Sequence, residues 1–186
     1  MKKLYVTLLL SVLYLSGLYG ETATIKYFRK AELDGRFSIT GREAIQDSII
    51  NRVYLYYTFE YDQQERLISI KYSEGGKLKN DEVFGAAQVR IDYQENTETR
   101  TFKDIKGQPI ADKNGVFQVR IKLDDKGNRT TLFNYDKYSS LVLDIWGAAE
   151  YVWTLDEKGR RLKTVCYDET GRRLPDDYGF SEIWYK

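Results

Sequence analysis

Four acidic residues stand in one register of the chain: Glu82, Asp112, Asp144 and Asp176, each three residues ahead of Gly85, Gly115, Gly147 and Gly179. Carboxylates repeated along one edge could hold a hard cation such as calcium, which takes several oxygen ligands. The same oxygens have a plainer use. A residue that opens a type I turn accepts a backbone N–H whether or not metal is present. Turn capping is the first expectation for the column, and a row of weak cation sites is the alternative. A glycan hydrolase would need one carboxylate pair at a set separation in a cleft, and no such pair stands out.

Other chemistries are excluded by composition. The chain has no histidine, which removes Ser-His-Asp and Cys-His nucleophilic sites, imidazole acid–base catalysis and the usual zinc sets. It carries neither a phosphate-binding glycine loop nor a dinucleotide fingerprint. No catalytic residue and no cofactor is assigned. Cys166 is the only cysteine, so no internal disulfide can form, and a buried small apolar role is expected for it.

Aromatic residues form the second set with chemical potential. Tyr57, Phe59, Tyr61, Tyr93, Trp153 and Tyr185 fall, with Ile91, on columns that read as core. Tyr54, Tyr56, Trp146, Tyr178 and Trp184 do not fit those columns. Standing on a solvated surface, they would stack on a sugar ring or anchor a protein partner; the alternative is packing against a neighbouring unit.

The elements that would position these residues recur. The four glycines lie 30, 32 and 32 residues apart. Four residues after each of the first three comes a similar strand: Val89 to Tyr93, Val119 to Leu123, Tyr151 to Leu155. Tyr57 to Tyr61 fits one unit earlier, Ile183 to Tyr185 one unit later, and Ile25 to Tyr27 opens the series. A fixed period of this length marks a repeat architecture. Turns headed by Asp104, Asp112, Asp124, Asp136, Asp144, Asp156, Asp168 and Asp176 punctuate it, most with glycine in fourth place, and turns of that kind between β-rich runs mean hairpins. The strands alternate: Val89, Ile91 and Tyr93 face one way and Arg90 and Asp92 the other, as in an antiparallel sheet with one face on a core. A single unit has too little apolar surface to fold alone, so neighbours must stack. Gln94 to Thr97 lacks the Asp and Gly of its counterparts, and a bulge or reshaped hairpin is expected there. Residues 41–51 fit the period least well. They read as a short helix capped by Thr40 with Ala44, Ile45, Ser48 and Ile49 on one face, or as a lengthened loop.

The stretch from Asp104 to Asn128 resembles the tandem hairpin repeats of many exported bacterial proteins, in the style of YD repeats of shell and toxin proteins and of WG-type repeats. Their units run roughly Asp-x-x-Gly-x-Pro, a spacer with a second Asp-x-x-Gly, an alternating strand, then Tyr-Asp-x-x-Gly-Asn. The likeness extends from about Tyr54 to Lys186. Here Leu123 and Leu155 replace the Tyr of Tyr-Asp, and Ser139 replaces a turn glycine. The resemblance implies scaffolding or binding and brings no catalytic motif.

Met1 to Gly20 reads as a signal peptide, with Lys2 and Lys3 ahead of an apolar run from Leu4 to Leu18 that is shorter than a bilayer span. Without those lysines 27 basic residues face 28 acidic ones. That balance argues against a nucleic-acid partner and gives no attraction to an acidic membrane. The organisation expected is a signal peptide over 1–20, a divergent unit over 21–52 and a hairpin-repeat domain over 53–186. The fold expected is an all-β antiparallel meander, solenoid-like or a partly open barrel. The function expected is non-enzymatic binding or scaffolding at the bacterial periplasm or surface, presenting a sheet face to a protein or glycan. A carboxylate-dependent glycan hydrolase and an immunity or antitoxin-like role are the alternatives. The last strand, Ile183 to Tyr185, has no polar cap, so pairing of two copies through that edge is also expected.

Overall fold

The computed structural model describes residues 24–34, 36–174 and 182–185. The expected signal peptide lies outside them, as do Asp176 and Tyr178. Among the described residues there are twelve strands: β1 (Thr24–Asp34), β2 (Ser38–Ile45), β3 (Leu55–Tyr61), β4 (Leu67–Glu74), β5 (Lys77–Leu78), β6 (Gln88–Gln94), β7 (Thr97–Lys103), β8 (Gln118–Leu123), β9 (Arg129–Tyr135), β10 (Glu150–Leu155), β11 (Arg161–Tyr167) and β12 (Glu182–Trp184). They form one antiparallel sheet in the order β12-β11-β10-β9-β8-β7-β6-β4-β3-β1-β2, with β5 beside β4. It is an all-β hairpin meander, and it does not close into a barrel: β12 and β2 are its two outer strands.

Three hairpins turn on the same local device. At Asp124 the backbone N–H donates to the Asn128 carbonyl at 2.9 Å and the Gly127 N–H donates back at 2.9 Å. The Asp124 Oδ1 accepts the amides of Lys126 and Asn128 at 2.9 and 2.8 Å. Asp62 and Asp156 repeat the pattern. The pairing register shifts by a residue beside each of these three turns, after Glu60, Lys122 and Thr154, as a bulge following a type I turn requires. The Gln94–Thr97 hairpin is reshaped instead. It turns on two residues, with Glu95 at φ 49° and no register shift.

Cross-strand pairing builds the core in rows. Tyr93, Glu98, Ile121, Leu132, Tyr151 and Cys166 lie opposite one another across six strands on one face. Tyr57, Phe59, Ile91 and Trp153 are buried on the expected columns. At the other end of the strands, successive long connections dock turn on turn: the Lys113 amide donates to the Phe84 carbonyl at 2.9 Å. Gly85, at φ 72°, lies so close to this turn that a Cβ there would sit 2.5 Å from the Lys113 nitrogen.

The segment before β3 departs from the helix expected at 41–51. Thr40, Ala44 and Ile45 belong to β2, and only Asp47–Arg52 is helical, as a 3-10 turn entered from Gln46. The reason is tertiary: β2 finds a continuous partner in β1, from Tyr27 opposite Ile45 to Asp34 opposite Ser38. β1 pairs with β3 only through Thr24–Phe28. Beyond Phe28 the β1–β2 hairpin therefore leaves the sheet plane, and its tip lies across the apolar face.

Candidate functional site

The tip of that hairpin reaches residues far away in sequence. Arg36 donates from Nη2 to Asp112 Oδ2 at 3.1 Å and from Nη1 to Asp144 Oδ2 at 3.3 Å. Both carboxylates head turns in the long connections, and both are divided between two tasks. Each Oδ1 caps its own turn, Asp112 taking the amides of Asn114 and Val116 and Asp144 those of Trp146 and Ala148. Each Oδ2 faces inward. That of Asp112 also takes Asn114 Nδ2, and that of Asp144 takes the Tyr151 hydroxyl at 2.6 Å and Asn134 Nδ2 at 3.3 Å. The carboxylate column thus exists for these two residues, and a guanidinium bridges it.

Elsewhere the column differs from its expected register. In the earlier unit the turn is headed by Asp81, which accepts the amides of Val83 and Phe84 and the Tyr57 hydroxyl, while Glu82 is exposed. Glu82 is not the structural counterpart of Asp112, because this turn is one residue longer: the Gly85 amide bonds the Asp81 carbonyl. Asp176 lies outside the described residues. Among the described residues no group of three or more acidic, cysteine or histidine side chains is arranged to hold a metal ion.

A second charged cluster sits beside the first. Glu98 on β7 binds Arg100 through Oε1 and Arg129 through Oε2, the latter at 2.7 Å from Nη2. Arg100 in turn donates to the backbone carbonyls of Arg36 and Phe37. Burial pushes the Glu98 carboxyl up, but the two guanidinium groups outweigh it and hold the acid below its ordinary value. Burial lowers Arg100, against the opposing pull of Glu98. Burial and the neighbouring Asp144 raise the Tyr151 hydroxyl. Burial pushes the Cys166 thiol up to about 12. Burial thus keeps the Tyr151 hydroxyl and the Cys166 thiol protonated, while Glu98 stays ionised between its two guanidinium partners.

Phe37 completes the crossing by meeting Trp153 edge-on, ring centroids 4.8 Å apart. Arg161 on β11 stacks on Phe37 and donates to Asp34 Oδ1 at 2.6 Å. Between hairpin and sheet lies a cavity of about 520 Å3 whose lining includes Leu33, Ile39, Phe102, Trp153, Arg161 and Ile183.

Of the expected binding aromatics, Tyr54, Tyr56 and Trp184 lie in different places among the described residues. Tyr54, just before β3, is exposed and overlies Gly75. Tyr56 is half-buried and edge-on to Tyr27. Trp184 is exposed on β12 beneath the Lys163 ammonium, 4.9 Å from its ring. Trp146 lies in the β9–β10 connection, and Tyr178 lies outside the described residues.

Around Trp146 stands a group that column-by-column reading of the aromatics misses. Tyr138, Leu141, Leu143, Ile145 and Trp146 are 75, 39, 41, 63 and 52% exposed. The equivalents 32 residues earlier are Lys106, Pro109, Ala111, Lys113 and Asn114, and those 32 later are Thr170, Arg173, Pro175, Asp177 and Tyr178. The preceding unit, described throughout, therefore folds without large apolar side chains at the first four positions. The signal was available as a departure from the period rather than as a motif. No protein-family model and no curated protein matches the chain.

Proposed function

We propose that this chain is an exported, non-catalytic binding protein whose repeats form a scaffold and whose β9–β10 connection docks a protein partner. One observation carries the reading: the large side chains of Tyr138, Leu141, Leu143 and Ile145 stand in solvent where the preceding unit of the same fold carries lysine, proline, alanine and lysine. Contiguous exposed apolar surface marks interaction sites on soluble proteins, and aromatic residues dominate the energetics of such interfaces. A protein fits better than a glycan, because Leu141, Leu143 and Ile145 offer no hydrogen-bonding groups to sugar hydroxyls. Among the described residues no helix is long and apolar enough to cross a membrane.

The test places a photo-crosslinking benzophenone residue at position 145, or at position 113 as the control, in the full chain within extract of the source organism. The expected result is a discrete protein adduct from 145 and none from 113. Equal adducts from both sites, or none from either, remove the reading. Glycan-array binding lost on Trp146→Ala, without a protein adduct, assigns the surface to sugars instead. A second copy is the other protein candidate, since β12 is an outer strand; an adduct of twice the chain mass, with a dimer by light scattering, identifies it.

A further inference from the structure

The β1–β2 hairpin is anchored at both ends. At its stem β1 pairs with β3 through Thr24–Phe28. At its tip Arg36 bridges Asp112 and Asp144, and Phe37 meets Trp153 edge-on. Between these anchors the hairpin spans the apolar face of the sheet without closing onto it, and a cavity of about 520 Å3 lies beneath. Leu33 and Ile39 wall it from the hairpin, Phe102, Val119 and Trp153 from the sheet, and Ile183 from β12. Exposed Ile145 and Trp146 also line it, so apolar side chains stand where it meets solvent. Apolar walls held apart forfeit packing contacts and lower stability, and a molecule that filled the space would restore them. The volume falls in the range of about 300–1,000 Å3 typical of small-molecule sites.

The polar groups on the wall decide what could enter, because the protein already uses them. Arg36 is taken by Asp112 and Asp144, and Arg100 by Glu98. The Asn114 amide donates to Asp112, and the Tyr151 hydroxyl to Asp144. Thr164 and Tyr185 bond hydroxyl to hydroxyl. Arg161 is paired with Asp34 and lies between the rings of Phe37 and Tyr185, and its unpaired Nε–H has almost no accessible surface for a ligand to reach. Lys113 is exposed, and an ion pair made there in water contributes little. A charged molecule would lose its water in this cavity and gain no partner in return.

We infer that this cavity is a binding site for an uncharged, largely apolar small molecule, held by its walls and selected by the absence of charge. The inference does not rest on the partner surface proposed above, since Leu33, Ile39, Phe102 and Trp153 lie outside that surface.

Fluorescence titration of the full chain with N-phenyl-1-naphthylamine tests this, beside anilinonaphthalene sulfonate, which adds one anionic group to the same rings. The uncharged probe is expected to saturate at one per chain and to bind at least tenfold more tightly than the sulfonate. Ile39→Trp, which fills the cavity from the hairpin side, should weaken the uncharged probe at least tenfold while remaining folded by circular dichroism. Leu141→Ala, on the exposed connection outside the cavity, should leave it within about twofold. No saturable binding, equal or tighter binding of the sulfonate, undiminished affinity in folded Ile39→Trp, or a tenfold loss in Leu141→Ala would each overturn the site. Should Ile39→Trp not fold, photolabelling of the unaltered protein with an uncharged aryl diazirine decides. Label on Phe102 or Ile183 supports the site, and label confined to outward residues such as Arg120 or Phe133 overturns it.

Discussion

Replacing Arg36 by alanine removes a cation shared by Asp112 and Asp144. The side chains of these residues are 6 and 0% exposed and that of Arg36 is 11% exposed, so solvent cannot take its place. Deleting one partner of a buried ion pair costs about 3–5 kcal/mol because the other charge is left uncompensated. Here the carboxylates keep their turn amides, Tyr151, Asn134 and Asn114, which puts the expected loss near the low end, about 3 kcal/mol. With a urea slope of about 1–3 kcal/mol per molar, the unfolding midpoint should fall by about 1–3 M. Arg36→Met keeps the apolar stem and separates lost packing from lost charge. In a double-mutant cycle of Arg36→Ala with Asp112→Ala the two losses should fall short of additivity by about 1 kcal/mol or more, because either change alone already breaks the shared pair. A loss below about 1 kcal/mol for Arg36→Ala, or full additivity in the cycle, would refute the claim that this bridge clamps the hairpin across the sheet.

Three further outcomes are expected. Cys166, buried with its thiol pushed up to about 12, should resist iodoacetamide at pH 8 in the native protein and react on unfolding, as read by mass spectrometry. Gly85→Ala should cost about 2–3 kcal/mol in chemical denaturation, combining a left-handed backbone with a clash against the Lys113 nitrogen, whereas Gly107→Ala, at φ 77° with nothing within 4 Å, should cost only about 1 kcal/mol. Glu98 is held below its ordinary value of 4.5. Its pairing therefore stabilises the fold fully above that value and is lost as pH falls through the lower folded one. The stability gap between the unaltered protein and Glu98→Gln should shrink below about pH 4.5; a gap that widens on acidification would contradict the assignment.

The local rules of the repeat were readable because each is satisfied within a few residues. The Asp-headed turns need only an oxygen two and four positions from the amides they cap, and Val89, Ile91, Val119 and Ile121 announce their inward face by alternation. The hairpin clamp was not readable, because its bonds join residues 76 and 108 positions apart and nothing near Arg36 announces them. Glu98 and Arg100 mislead in the same way. They alternate with Thr97, Thr99 and Thr101 as solvent-facing charges would, yet they point inward and are buried, because each finds its counter-charge there. Around Glu82 the constant three-residue distance to glycine points one residue too far along the chain. Backbone bonding instead puts Asp81 at the turn head.

Grafting the preceding unit onto the proposed docking surface tests most directly whether scaffold and binding are separable in this chain. The changes are Leu141→Pro, Leu143→Ala, Ile145→Lys and Trp146→Asn, each a residue the same fold already carries 32 positions earlier. Measured together by thermal melting and by crosslinking from a benzophenone at position 138, the grafted protein should melt within a few degrees of the unaltered one and lose its adduct. A graft that fails to fold would make these side chains core, and a folded graft that keeps the adduct would place the partner elsewhere.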